Sequence, residues 1–148
     1  MSDAWNHRQI RELAPALAGG EVSPVALTEQ VLARAAASPL NAFTTLLPEQ
    51  ALAEAETAAR EIADGHYRGP LHGIPVSVKD LFLVAGAPTT AASAVTARTP
   101  SPHDAPVVAK LRAAGAVVLG TCNLHEFAFG TTGEDSAFGP TLHPLDTT

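Results

Sequence analysis

The feature that most limits the fold of this chain is a change of pattern near residue 70. Beyond it, "GIPVSVKD" alternates apolar and polar side chains, "HDAPVVAKLRAAG" carries helical spacing, and "AVVLGT" is an unbroken apolar run. A period of two marks a strand, with Val76 and Val78 on one face and Ser77 and Lys79 on the other. A short continuous apolar run marks a strand buried on both faces. Between them, Asp104 is the expected N-cap of a helix and Gly115 its stop. Strand, crossover helix and strand form a βαβ unit, right-handed by a strong steric rule. That unit commits the chain to an α/β architecture.

The residues before the change read as helical and rich in alanine. Ile10, Leu13 and Leu17 share a helical face that ends at Gly19-Gly20, with Pro15 expected to kink or break it. "SPVALTEQVLARAAA" has Ser23 as N-cap and Pro24 at the first helical position, and Val25, Leu27, Val31 and Leu32 give it an apolar face. "PEQALAEAETAAREIADG" starts at Pro48 and stops near Gly65, with acids early and Arg60 late, as the helix dipole favours. After the second strand, "NLHEF" pairs Asn123 with Glu126 in a capping-box pattern that predicts another helix. From Gly130 onward the chain reads as loop. A parallel sheet needs more than two strands and cover on both faces. The predicted organisation is therefore a helical region over 1–68 and the opening of an α/β core over 69–148, an incomplete portion of a larger domain.

Bulk properties remove several classes of function. With 148 residues, 46% of them apolar, the chain is not a disordered tail. A formal charge of −6 and the lack of a basic block argue against direct nucleic-acid binding. Cys122 is the single cysteine, which rules out an intrachain disulfide framework and suits a reducing cytoplasm. No signal-peptide pattern opens the chain, and no apolar run approaches the ~18 residues of a membrane span.

Lys79 is the most informative candidate residue. As an ordinary strand-end lysine it packs its stem and keeps its ammonium in water. As a catalytic base it must be buried and lose its proton, and ligand crevices form at strand ends in α/β sheets. Asp80 reads as a turn or cap acid. Cys122, beside Asn123 and His125, reads as a packed free thiol in preference to a nucleophile. "HEFAF" is not H-E-x-x-H, and His72, His103 and His143 lack ligand spacing, so no metal is expected. In "FAFGTTGED", Gly130 and Gly133 bracket two threonines, either as plain loop or as a pocket wall where main chain approaches a ligand.

Together, "GPLHGIPVSVKDLFLVAGAPTTAAS" and "DAPVVAKLRAAGAVVLGTCNLHEFAFGTTGEDSAFGPTLHPLD" resemble the N-terminal part of the amidase signature family. The match spans most of residues 69–146, and the helical residues 7–65 fit less specifically. The resemblance implies a Ser–cis-Ser–Lys triad whose lysine falls on Lys79, placed as a buried base. It also implies a pocket lined by Phe127, Phe129, Gly130 and Thr131, and no cofactor. The family's two serine segments, G-G-S-S-G-G-S and D-x-G-G-S, do not occur in these residues. Ser77, Ser93 and Ser136 stand elsewhere and do not substitute for them. The family's common G-K-T-N is Gly120-Thr121-Cys122-Asn123 here.

The implied activity is hydrolysis of a small carboxamide by a longer parent, a homodimer in the general-amidase branch, with these 148 residues inactive alone. "FAFGTTGE" favours that branch. The alternatives are the A subunit of a tRNA-dependent amidotransferase complex, with which "NAFTTLLPEQALAEAE" is compatible, and a non-catalytic remnant or interaction module.

Overall fold

The computed structural model describes residue 5 and residues 8–145, so the Asp146 end of "HPLDTT" lies outside it. In chain order the elements are α1 (Ile10–Ala18), α2 (Pro24–Ala37), β1 (Phe43–Leu46), α3 (Pro48–Ala63), β2 (Pro75–Lys79), α4 (Pro106–Ala113) and β3 (Val117–Cys122). One 3-10 turn follows at Glu126–Ala128.

Local chemistry explains the helix ends. Glu12 Oε2 accepts the Gln9 N–H at 2.8 Å, closing the first turn of α1. The helix runs through Pro15 without interruption. Ser23 Oγ accepts the Ala26 N–H at 3.4 Å, and Pro24 opens α2 as its sequence predicts. Pro48 opens α3, and Ala51, Ala55 and Ala58 form its buried stripe. Asp104 departs from expectation. Its Oδ1 accepts the Ala85 N–H at 2.8 Å, and α4 begins two positions later at Pro106.

The sheet has three strands in the order β1-β3-β2. The β2–β3 pair is parallel: Val117 N–H donates to Ile74 O at 2.9 Å, and Asp80 N–H donates to Cys122 O at 3.1 Å. β1 runs antiparallel to β3 and pairs Phe43 with Cys122, Thr45 with Thr121, and Leu46 with Gly120. The sheet is therefore mixed, the opening part of an α/β domain. β1 corrects the reading of the first 70 residues as helical. Gly120 makes the pairing possible: it sits at φ +153°, and a Cβ there would lie 2.1 Å from Thr45 O.

The described residues group into two compact units. One combines those of Met1–Ala33 with Leu47–Val76 and Lys110–Leu119. Leu13, Ala16, Leu17, Val22, Leu27 and Ile74 form its core, with Trp5, Val31 and Val76 packed against it. The other combines Arg34–Leu46, Ser77–Ala109 and Gly120–Thr148, again taking the described residues. Its buried apolar residues include Val78, Val84, Ala87, Ala92, Val108 and Leu124. Among the described residues, no helix is long and apolar enough to cross a membrane.

Candidate active site

The second unit holds the residues singled out by the motifs. β2 ends at Lys79, whose carbonyl accepts both the Leu81 N–H (2.7 Å) and the Phe82 N–H (3.0 Å), so the chain turns sharply there. The Lys79 side chain is exposed, together with that of Ser77, while Val78 is buried. The burial expected of a base at this position is not provided by the described residues. The face alternation holds, but β2 is an edge strand in this sheet, and the described residues do not cover its polar face.

Asp80 behaves in the opposite way. Its sequence position suggests a turn or cap acid, yet it is fully buried. Its Oδ1 accepts the Thr90 N–H at 2.9 Å, and its Oδ2 accepts the Thr90 hydroxyl. Its backbone carbonyl accepts the Ala91 N–H at 2.9 Å. A buried polar group of this kind is tolerated when its oxygens are hydrogen-bonded. Beyond Thr90 the chain passes through two left-handed alanines, Ala91 (φ 51°) and Ala92 (φ 55°). That conformation costs an L-residue about 1–2 kcal/mol per position, so the surrounding bonds must hold it.

Those alanines reach the aromatic loop. Ala91 O accepts the Phe127 N–H and Ala92 O accepts the Ala137 N–H, each at 2.8 Å. Phe127 and Ala128 are themselves left-handed, at φ 51° and 55°. The helix predicted from "NLHEF" is thus reduced to one 3-10 turn whose N-cap is His125. Asn123 does not cap it. Its Oδ1 accepts the Ser136 hydroxyl at 2.7 Å, and its Nδ2 donates to Asn41 O at 3.1 Å and Gly139 O at 3.0 Å.

Phe127 is 54% exposed and Phe129 is 96% exposed, and Thr131 is also exposed. At Gly130 the main chain approaches the His125 ring closely: a Cβ there would lie 2.2 Å from it and would force the ring to move. The structure thus links Lys79 to Phe127 through Asp80, Thr90 and Ala91, and sets Cys122 opposite Asp80. Sequence reasoning missed Thr90, Ala91 and Ala92. The one available signal was an aspartate beside a strand-end lysine.

A separate polar cluster lies in the first unit. It lines a cleft of about 290 Å³ that includes Glu54, Glu61, Arg68, His72 and Arg112. His72 is fully buried, and its Nδ1 accepts the Arg68 N–H at 3.0 Å. The neutral ring therefore carries its proton on Nε2, which sits 3.0 Å from Glu61 Oε2. Burial holds His72 below the ordinary imidazole value, against the opposing pull of Glu61. The Arg68 guanidinium, bonded to Glu61, keeps that carboxyl below the usual carboxylate range. Glu54 joins two elements: Oε1 pairs with Arg112 Nε at 3.0 Å and Oε2 accepts the Val118 N–H at 2.8 Å. Among the described residues, no group of three His, Cys, Asp or Glu is placed to hold a metal ion.

Comparisons with known proteins bear on the family of the chain. The family model described as Amidase matches residues 26–148. The A subunit of the glutamyl-tRNA(Gln) amidotransferase of Geobacter metallireducens is 48% identical over 137 residues, which is 91% of this chain and 28% of that protein. The protein of the same name from Burkholderia pseudomallei is 45% identical over 141 residues, covering 95% of this chain and 28% of the relative. The solved structure of native peptide amidase from Stenotrophomonas maltophilia superposes with a TM-score of 0.88 at 37% identity, covering 97% of this chain and 31% of that one. The chain thus spans less than a third of the length of these relatives. With the family model matched from α2 to the end of the sequence and the V-K-D strand end in place, the chain belongs to the amidase signature family.

Proposed function

We propose that these residues supply the lysine base and part of the pocket wall of a carboxamide hydrolase, and that this hydrolase is the A subunit of a glutamyl-tRNA(Gln) amidotransferase. The observation that carries the finer reading is the 48% identity to the Geobacter metallireducens protein, which extends over 91% of this chain. It outweighs the preference for a general amidase drawn from "FAFGTTGE". In the proposed reaction, the Lys79 amine takes a proton from a serine held on a cis peptide, which relays to a nucleophilic serine. The serine oxygen attacks the carboxamide carbon, ammonia leaves with the returned proton, and water then cleaves the acyl-enzyme. Phe127, Phe129, Gly130 and Thr131 serve as the pocket wall in this reading. A second reading, a hydrolase of peptide amides, is favoured by the 0.88 TM-score to the peptide amidase.

Both readings meet one experiment. These 148 residues are co-expressed with a second polypeptide carrying the serine segments of a family relative, and ammonia release is measured from glutamine and from a peptide amide. Glutamine hydrolysis that Lys79→Ala abolishes is expected, with no activity from the 148 residues alone. Release from the peptide amide only selects the second reading. An assembled complex inert to both substrates overturns the two together.

A further inference from the structure

We propose that Asp80 is a positioning residue, which through Thr90 fixes the aromatic loop at 127–137 in register with Lys79. This rests on the hydrolase reading of Lys79 and the loop. Beyond the sheet, the bonds of Asp80 go to one short segment. Its two carboxylate oxygens take the N–H and hydroxyl of Thr90, and its carbonyl takes the N–H of Ala91. Both Thr90 and Ala91 are buried, so water does not offer a substitute for these bonds. Among the described residues, Asp80 has no ion pair. Its acceptors are spent on shaping main chain.

The shape matters because it is an unfavourable one. Thr90 Oγ1 also accepts the Ala92 N–H at 3.1 Å, so a single hydroxyl ties the carboxylate to the left-handed pair Ala91-Ala92. In that conformation the carbonyls of Ala91 and Ala92 receive the N–H groups of Phe127 and Ala137. Those two bonds tie the segment to the loop. Lys79 and Asp80 are adjacent, so the strand end that carries the base also anchors the wall that carries Phe127. A substrate held by the loop is thereby set at a fixed distance from the amine, which is where positioning of reacting groups takes effect.

The test uses Thr90→Val, Thr90→Ser and Asp80→Asn. Thr90→Val keeps the shape and the backbone bond but removes the hydroxyl. In the 148-residue chain, amide hydrogen exchange at Phe127 and Ala137 is expected to accelerate at least tenfold in Thr90→Val, with Val117 in β3 changed less than twofold. Thr90→Ser is expected to restore the parent rates, and Asp80→Asn to fall between. In the co-expressed hydrolase, Thr90→Val is expected to raise KM at least tenfold with kcat within threefold of the parent. Unchanged exchange at Phe127 and Ala137, or an equal rise at Val117, overturns the proposal. A fall in kcat at constant KM also overturns it. If exchange responds as expected but the complex hydrolyses no amide, the hydrolase reading fails and the coupling of Asp80 to the loop stands.

Discussion

Removing the Glu54 side chain is expected to destabilise the first unit by about 1–4 kcal/mol. The carboxylate serves two partners at once. Oε2 accepts the N–H of Val118, a residue with no exposed surface, and β1 pairs with β3 only from Gly120 onward. Glu54→Ala therefore leaves a buried backbone donor without its acceptor, which costs about 1–3 kcal/mol. Oε1 pairs with Arg112, the two side chains being 22% and 19% exposed, and a partly exposed pair of this kind contributes about 1 kcal/mol or less. Alanine's higher helix propensity returns only a few tenths of a kcal/mol in α3. Glu54→Gln separates the contributions, because its amide oxygen still accepts the Val118 N–H while the charge is gone. It is expected to cost about 1 kcal/mol. Urea unfolding of the parent and both variants measures the differences, and hydrogen exchange at Val118 locates them. Glu54→Ala within about 0.5 kcal/mol of the parent, roughly the scatter of a neutral surface change, would refute the reasoning. So would Glu54→Gln as damaging as Glu54→Ala.

Three further outcomes are expected. Stability should fall as pH drops below about 6.5, the ordinary imidazole value, because His72 is held neutral by burial and the unfolded chain takes the proton first; the loss is at most about 1.4 kcal/mol per pH unit, and Glu61, also depressed, adds to it below the carboxylate range. Denaturant titrations from about pH 7.5 to 4 check this, and His72→Gln should flatten the upper part of the curve. Lys79→Ala should leave the unfolding free energy within about 0.5 kcal/mol, since the side chain is exposed and only its backbone carbonyl shapes the turn. Gly120→Ala should cost about 2 kcal/mol or more and disturb the β1–β3 pairing first, because its new methyl meets Thr45 O; exchange at Leu47, whose N–H donates to Leu119 O, reports on that edge.

What the sequence determined by itself was written in short-range signals that no distant partner overrode. Ser23-Pro24 opened α2, Pro48 opened α3, and Gly65 and Gly115 followed the ends of α3 and α4, because capping and φ preferences act within a turn. The alternation in "GIPVSVKD" and the apolar run in "AVVLGT" named β2 and β3, and the alternation also assigned the faces of Val76, Ser77, Val78 and Lys79. The V-K-D motif carried the family.

Tertiary structure decided the rest, for one reason: those features depend on partners distant in sequence. β1 is four residues long and exists as a strand because β3, more than 70 positions away, supplies its hydrogen bonds. Asp104 sits where a local cap was expected, yet its Oδ1 accepts the N–H of Ala85, nineteen positions away. "NLHEF" carried a capping pattern, yet bonds from Ala91 and Ala92 pulled Phe127 and Ala137 into a loop. Nothing in the sequence set His72 apart until Glu61 and Arg68 closed around it. At the strand end the two charged neighbours exchanged roles: Lys79 lies open and Asp80 is buried. Alternation fixes which face a side chain takes, but only the elements packed on that face fix whether it meets water or protein.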